Sequence, residues 1–110
     1  KRPGFERKDM DVYSKVTIPF TTAVLGGEAV VQTLTGRVVC KINPGTQSGT
    51  KIRLRGKGIV SMKNTSAYGD QYVTVQIEVP KYLNPEAKQK LKEFEAACGQ
   101  TDRYRNGSVA

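Results

Sequence analysis

The chain of 110 residues has no histidine, no tryptophan and only two cysteines, and aromatic residues make up 7% of it. Each shortage excludes something. Without histidine, and with Cys40 and Cys98 too far apart to form a CxxC pair, the usual zinc-ligand spacings cannot be met, so neither metal nor cofactor is expected. General acid–base work would fall to carboxylates or lysines, and the ten acidic residues show no clustered pair in an apolar setting. Asp70, after Gly69, is the best isolated candidate, yet it reads as a turn residue capping the start of a strand. An enzyme is not expected. Cys40, in the strand-like run VVCKI, falls on one face with Val38 and Ile42 and reads as a buried free thiol. A reducing compartment, the cytoplasm, fits that usage. No apolar run approaches a membrane span, and the N-terminus lacks the apolar core of a signal peptide. The chain opens on lysine, as a piece of a longer protein would.

What is present is a basic chain of single-domain size, with 18 lysines and arginines against 10 acidic residues and a formal charge of +8. Such a balance suits acidic partners or nucleic acid, and also a plain solvated surface. The most informative stretch is residues 42–59, INPGTQSGTKIRLRGKGI, where Gly45, Gly49, Gly56 and Gly58 punctuate a strand from Lys51 to Arg55. At a period of two, Ile52 and Leu54 face a core while Lys51, Arg53 and Arg55 face away. A phosphate-binding P-loop would need GxxxxGK[ST] and a following helix, which Gly56 to Ile59 does not supply. A nucleic-acid-binding module using Lys51, Arg53, Arg55 and Lys57 would show steep salt dependence, but the row is short and without interleaved aromatics.

The rest of the chain reads as strands bracketed by two helices. Val12, Val16 and Ile18 share one face of a first strand that Pro19 ends, with Ser14 a polar interruption. Phe20 to Leu25 forms a short helix stopped by Gly26-Gly27, its apolar residues plugging one end of a sheet. Glu28 to Leu34 and Arg37 to Ile42 make a hairpin through Thr35-Gly36. Residues 60–70 lack a period and read as a loop, after which Val73, Val75, Ile77 and Val79 alternate on a core face until Pro80. Asn84 as N-cap, Pro85 at the first helical position and Gly99 beyond the end define a terminal helix. Ala87, Leu91, Phe94 and Cys98 give it one narrow apolar stripe, which either packs on its own sheet or forms a dimer contact.

Six segments, Phe5-Glu6-Arg7 followed by Asp11-Val12-Tyr13, IPFTTAVLGGE, INPGTQSGTKIRLRGKGI, GDQYVTVQIEVP and LNPEAKQKLKEF, occur in order over about residues 5–98. In order and spacing they resemble the second C-terminal domain of DnaJ-type J-domain co-chaperones. The departures are small: Lys8-Asp9-Met10 replaces a more usual Asp-Gly pair, Asn43 stands where a small residue or proline is common, and residues 100–110 match no motif. The resemblance implies a mainly β protein, a small two-layer β-sandwich with a short helix after the first strand and a C-terminal amphipathic helix. It divides the chain into a lead-in at 1–10, a client-binding repeat at 11–80, a dimerisation helix at 81–99 and a disordered tail at 100–110. Its partners would be unfolded polypeptide clients, a DnaK-type ATPase chaperone and a second copy of itself. No His-Pro-Asp signature or cysteine-rich repeat is present, so a J domain or zinc module would lie elsewhere in the parent protein.

Mapped by motif, the family's client groove falls on Ser14, Val16, Val31 and Thr33, and dimerisation on Leu91 and Phe94 flanked by Tyr82 and Leu83. The two valines could equally be core. The basic face of Lys51, Arg53, Arg55 and Lys57 would on this reading be solvated or touch an acidic tail of the partner chaperone.

Overall fold

In a computed structural model, which describes residues 2–99, the alternating stretches become strands and the 3.6-period stretches become helices. The tail expected at 100–110 lies outside the described residues. In chain order the elements are β1 (Glu6–Lys8), β2 (Asp11–Pro19), α1 (Phe20–Leu25), β3 (Gly27–Thr33), β4 (Gly36–Ile42), β5 (Lys51–Leu54), β6 (Gln71–Glu78) and α2 (Pro85–Cys98). Two compact units result: Lys1–Val79 holds every strand, and Pro80–Ala110 holds α2.

Four strands form a sheet in the order β1-β2-β6-β5, and β3 and β4 form a two-stranded sheet. β1 and β5 run antiparallel to their neighbours, whereas β2 and β6 run parallel, from Val12 opposite Gln71 to Pro19 opposite Glu78. The expected sandwich is present. Its inner side chains arise from the period of two, with Val12 and Ile18 from β2, Val73 and Val75 from β6, and Ala29, Val31, Cys40 and Ile42 from the hairpin all buried. Fully burying a side chain of valine or isoleucine size stabilises by about 1.5–3 kcal/mol, so this face is what holds the two sheets together.

Several boundaries differ from the sequence reading. β1 was hidden within the lead-in, because its three residues are all exposed and form a strand only by pairing with β2. Asp9 takes φ 56° in the turn between them, at the departure from the usual Asp-Gly pair. The hairpin turn is Leu34-Thr35, one residue earlier than expected, since Thr33 pairs with Gly36. The Thr33 hydroxyl secures it by donating to the Gly36 carbonyl at 2.7 Å and accepting from the Thr35 N–H at 3.2 Å. Val79 lies past the end of β6 and is 81% exposed. α1 does not plug the sheet with all its apolar residues: only Ala23 is buried, while Phe20, Val24 and Leu25 face outward. The Ala23 carbonyl accepts from the N–H groups of Gly45 and Thr46, so the INPGT turn closes the end of this short helix.

Residues 56–70 fold back as a tongue against the β1–β2 turn. Gly58 and Gly69 bond to each other's strand, Gly58 N–H to the Gly69 carbonyl at 2.9 Å and Gly69 N–H to the Ile59 carbonyl at 3.0 Å. The Ile59 N–H reaches the Met10 carbonyl at 2.7 Å. A Cβ on either glycine would overlap the Met10 backbone, so the crossing requires residues without side chains. Gly58→Ala is therefore expected to destabilise the sandwich unit by more than about 2 kcal/mol, with urea unfolding as the measurement.

Candidate functional site

The feature of the sandwich that can receive another chain is an unpaired strand edge. β1 covers β2 only from Asp11 to Tyr13, so from Ser14 onward one side of β2 has no neighbouring strand in its sheet. The Val12 N–H donates to the Asp70 carbonyl at 2.9 Å, which fixes the alternation. Even-numbered residues of β2 direct their backbone groups to β6, and Lys15 and Thr17 direct theirs to the open side. A groove of about 880 Å³ opens where β1 stops, lined in part by Phe5, Tyr13, Ser14 and Lys15. Its outer wall is the segment Arg2–Phe5, held by the Arg2 guanidinium, which donates to the Leu34 carbonyl at 2.7 Å and lies over the Phe5 ring.

The four residues expected to line a client groove fall into two pairs. Ser14 and Val16 are half-buried on the inner face of β2 beside the open edge. Val31 and Thr33 are only 2% and 1% exposed and lie beneath the surface of the folded domain. Thr33 is committed to its own turn, and Val31 packs with Cys40 and Val73. Burial raises the Cys40 thiol pKa, as expected for a packed and unreactive cysteine.

The polar interruption at Ser14 has a structural partner. Gln71, wholly buried at the start of β6, donates through Nε2 to the Ser14 hydroxyl at 2.9 Å and to the Gln32 carbonyl at 3.0 Å. One amide thus joins β6, β2 and β3 behind the open edge. Sequence reading missed it, because a glutamine opening an alternating strand carries no signal of its own.

On the basic side, Arg53 is not a free cation. Its Nε donates to Asp70 Oδ2 at 2.8 Å and its Nη2 lies 2.7 Å from the same oxygen, while Asp70 Oδ1 accepts from the Gly56 N–H at 2.9 Å. Asp70 therefore does not cap its own strand; it fastens the far end of β5, and its own N–H is taken by Asp11 Oδ1 at 2.8 Å. Across β5 and β6 to β2, Arg53 neighbours Tyr72, whose ring stacks on Tyr13 with centroids 5.3 Å apart. Lys51 is exposed, and Arg55 and Lys57 follow the strand.

In the second unit, Asn84 Oδ1 accepts from the Ala87 N–H at 2.7 Å, Pro85 opens α2, and Gly99 closes it in the left-handed conformation. The caps read from sequence are the caps observed. No residue of the helix is buried, and Leu91 and Phe94 are 45% and 40% exposed. Tyr82 and Leu83 precede it, also exposed.

The chain as a whole is similar to known proteins. The family model described as "DnaJ C terminal domain" matches residues 1–80. The chain belongs to the DnaJ C-terminal domain family. Among curated relatives of this DnaJ domain, "Chaperone protein DnaJ" of Lachnospira eligens is 43% identical over 100 residues, covering 91% of this chain and 27% of that protein. The protein of the same name from Burkholderia thailandensis is 47% identical over 98 residues, covering 89% and 26%. That from Burkholderia pseudomallei is 47% identical over 96 residues, covering 87% and 25%. The chain thus spans about a quarter of the length of these DnaJ relatives.

The Asp70 cluster in this DnaJ domain gives a pH prediction. The Gly56 N–H, and after it Arg53, hold the Asp70 carboxyl below its ordinary value of 3.8. A carboxylate whose folded pKa is depressed stabilises the fold above the unfolded value, and that contribution is lost as pH falls through the folded one. Asp70→Asn should lower the midpoint of thermal unfolding at pH 7, with the gap to the wild type closing below pH 3.8. Melting curves across that range are the check.

Proposed function

We propose that this chain is the client-holding and dimerising arm of a DnaJ-type co-chaperone, without catalytic activity or cofactor of its own. The observation that carries the reading is the open edge of β2, where the backbone groups of Lys15 and Thr17 stand beside half-buried Ser14 and Val16. An extended segment of an unfolded client adds there as a further strand, taking main-chain hydrogen bonds while alternate side chains settle against Val16. Because the main chain supplies the bonds, the preference among apolar clients is broad. Val16 packs on the cluster that holds Val31, and a client reaches buried Val31 or Thr33 only if the edge opens further.

Weak capture by one arm becomes useful when two arms act together, since the second contact is made at high effective concentration. The exposed Leu91 and Phe94 on α2, with Tyr82 and Leu83 before it, support a dimer contact in this role. Clients held in this way pass to a DnaK-type ATPase chaperone in the cytoplasm, a role in keeping with the relatives' name, "Chaperone protein DnaJ".

Two measurements test the reading. Lys15→Pro removes the outward N–H of the open edge, and proline is tolerated on an edge where that group faces solvent. It should abolish binding of a labelled unfolded apolar peptide while circular dichroism stays unchanged; retained binding would refute the edge. Leu91→Asp with Phe94→Asp should halve the solution mass. In parallel, a labelled oligonucleotide should bind weakly or not at all, whereas steeply salt-dependent oligonucleotide binding without a peptide signal would favour the nucleic-acid reading of Lys51, Arg53, Arg55 and Lys57.

A further inference from the structure

The far side of the sandwich carries a second open edge. β5 is the last strand of its sheet, and β4 pairs only with β3, so both strands present an unpaired side. Between them lies a groove of about 400 Å³, whose floor is apolar, from Val38, Cys40 and Leu54, and whose rim carries Arg53, Arg55 and Lys57. Val38 and Leu54 are partly buried against the Val31, Cys40 and Val73 cluster, so the floor is the exposed margin of the core.

The backbone of β5 is set for a further strand. The Thr50 carbonyl accepts the Val75 N–H at 2.8 Å, and Ile52 and Leu54 then pair toward β6, which turns the backbone groups of Lys51 and Arg53 outward. The charges differ in how far they are satisfied. Asp70 answers Arg53, whereas Arg55 and Lys57 make no ion pair among the described residues.

We propose that this groove is a second acceptor for extended polypeptide, selective for segments in which apolar side chains alternate with carboxylates. A strand added to β5 points successive side chains to opposite faces. Its apolar residues meet Val38, Cys40 and Leu54, and its carboxylates meet Arg55 and Lys57. The two edges differ in charge: the β5 groove is lined by three basic residues and no acidic one, whereas the groove beside β2 sets Glu6 beside Arg2 and Lys15. The inference deepens the client-holding reading and rests on it.

The test uses the full chain and three labelled peptides: valine alternating with glutamate, valine alternating with lysine, and the glutamate peptide with its residues blocked rather than alternating. At low salt the glutamate-alternating peptide is expected to bind about three- to tenfold tighter than either of the others, the size of effect that two partly exposed charge pairs supply. Arg55→Glu with Lys57→Glu should bring that ratio to near one. Lys63→Glu with Lys88→Glu makes the same change in net charge elsewhere and should leave the ratio intact. Equal binding of all three peptides, or a preference that survives reversal at Arg55 and Lys57, would overturn the β5 groove while leaving the β2 edge standing. If the control reversal removes the preference as fully, general charge is responsible and the groove is again overturned. Failure of every peptide, the unfolded apolar one included, would sink the client reading itself and the inference with it.

Discussion

β2 and β6 lie side by side and parallel, and a parallel pair cannot be joined by a tight turn. Everything between Pro19 and Gln71 is consequently a crossover. α1, the β3–β4 hairpin and β5 are all parts of that long return, and the hairpin is carried across the inner face of the sheet, where Ala29, Val31, Cys40 and Ile42 meet Ile18, Val73 and Val75. The same arrangement decides which edges are left open. β6 is paired on both sides, β2 is covered only over three residues by β1, and β5 is covered on one side alone. The unpaired backbone on which the proposed client site rests follows in this fold from the order of the strands.

Open edges are held in shape by polar groups that bind at a distance. Gln71 reaches from β6 to Ser14 and to the Gln32 carbonyl, so it spans both sheets behind the β2 edge. Asp11 and Asp70 form a relay: Asp11 receives the Asp70 N–H, and Asp70 receives the Gly56 N–H and the Arg53 guanidinium. Buried or half-buried polar groups fix geometry because leaving them without a partner costs more than the bond contributes. Both edges are thus flanked by residues whose positions cannot drift without stranding a donor or an acceptor.

The strands with a clean period of two were legible from sequence, as were the caps of α2, because each depends on a few neighbouring residues. The β1 strand was not, since Glu6, Arg7 and Lys8 have no apolar alternation and become a strand only through β2. Val79 continued the alternation of β6 on paper but lies past the last paired residue. The basic row looked uniform in sequence, whereas in space Asp70 pairs with Arg53 and leaves Lys51, Arg55 and Lys57 outside the ion pairs of the described residues. Tyr13 and Tyr72, 59 positions apart, gave no hint of stacking, because parallel register is a property of the whole crossover. Ser14, Val16, Val31 and Thr33 were mapped by family motif alone, and it is the packing that sets half-buried Ser14 and Val16 beside the edge and buries Val31 and Thr33.

The long crossover also has a cost on the ribosome. β2 is made early, but the strand that completes it begins only at Gln71, and at typical synthesis speeds the intervening residues take roughly 3–10 s to appear. Through that interval the valines and isoleucine of β2 have no sheet, and non-local pairing of this kind folds slowly even once the chain is complete. Until β6 emerges, β2 is therefore itself an unpaired apolar segment of the kind proposed here as a client.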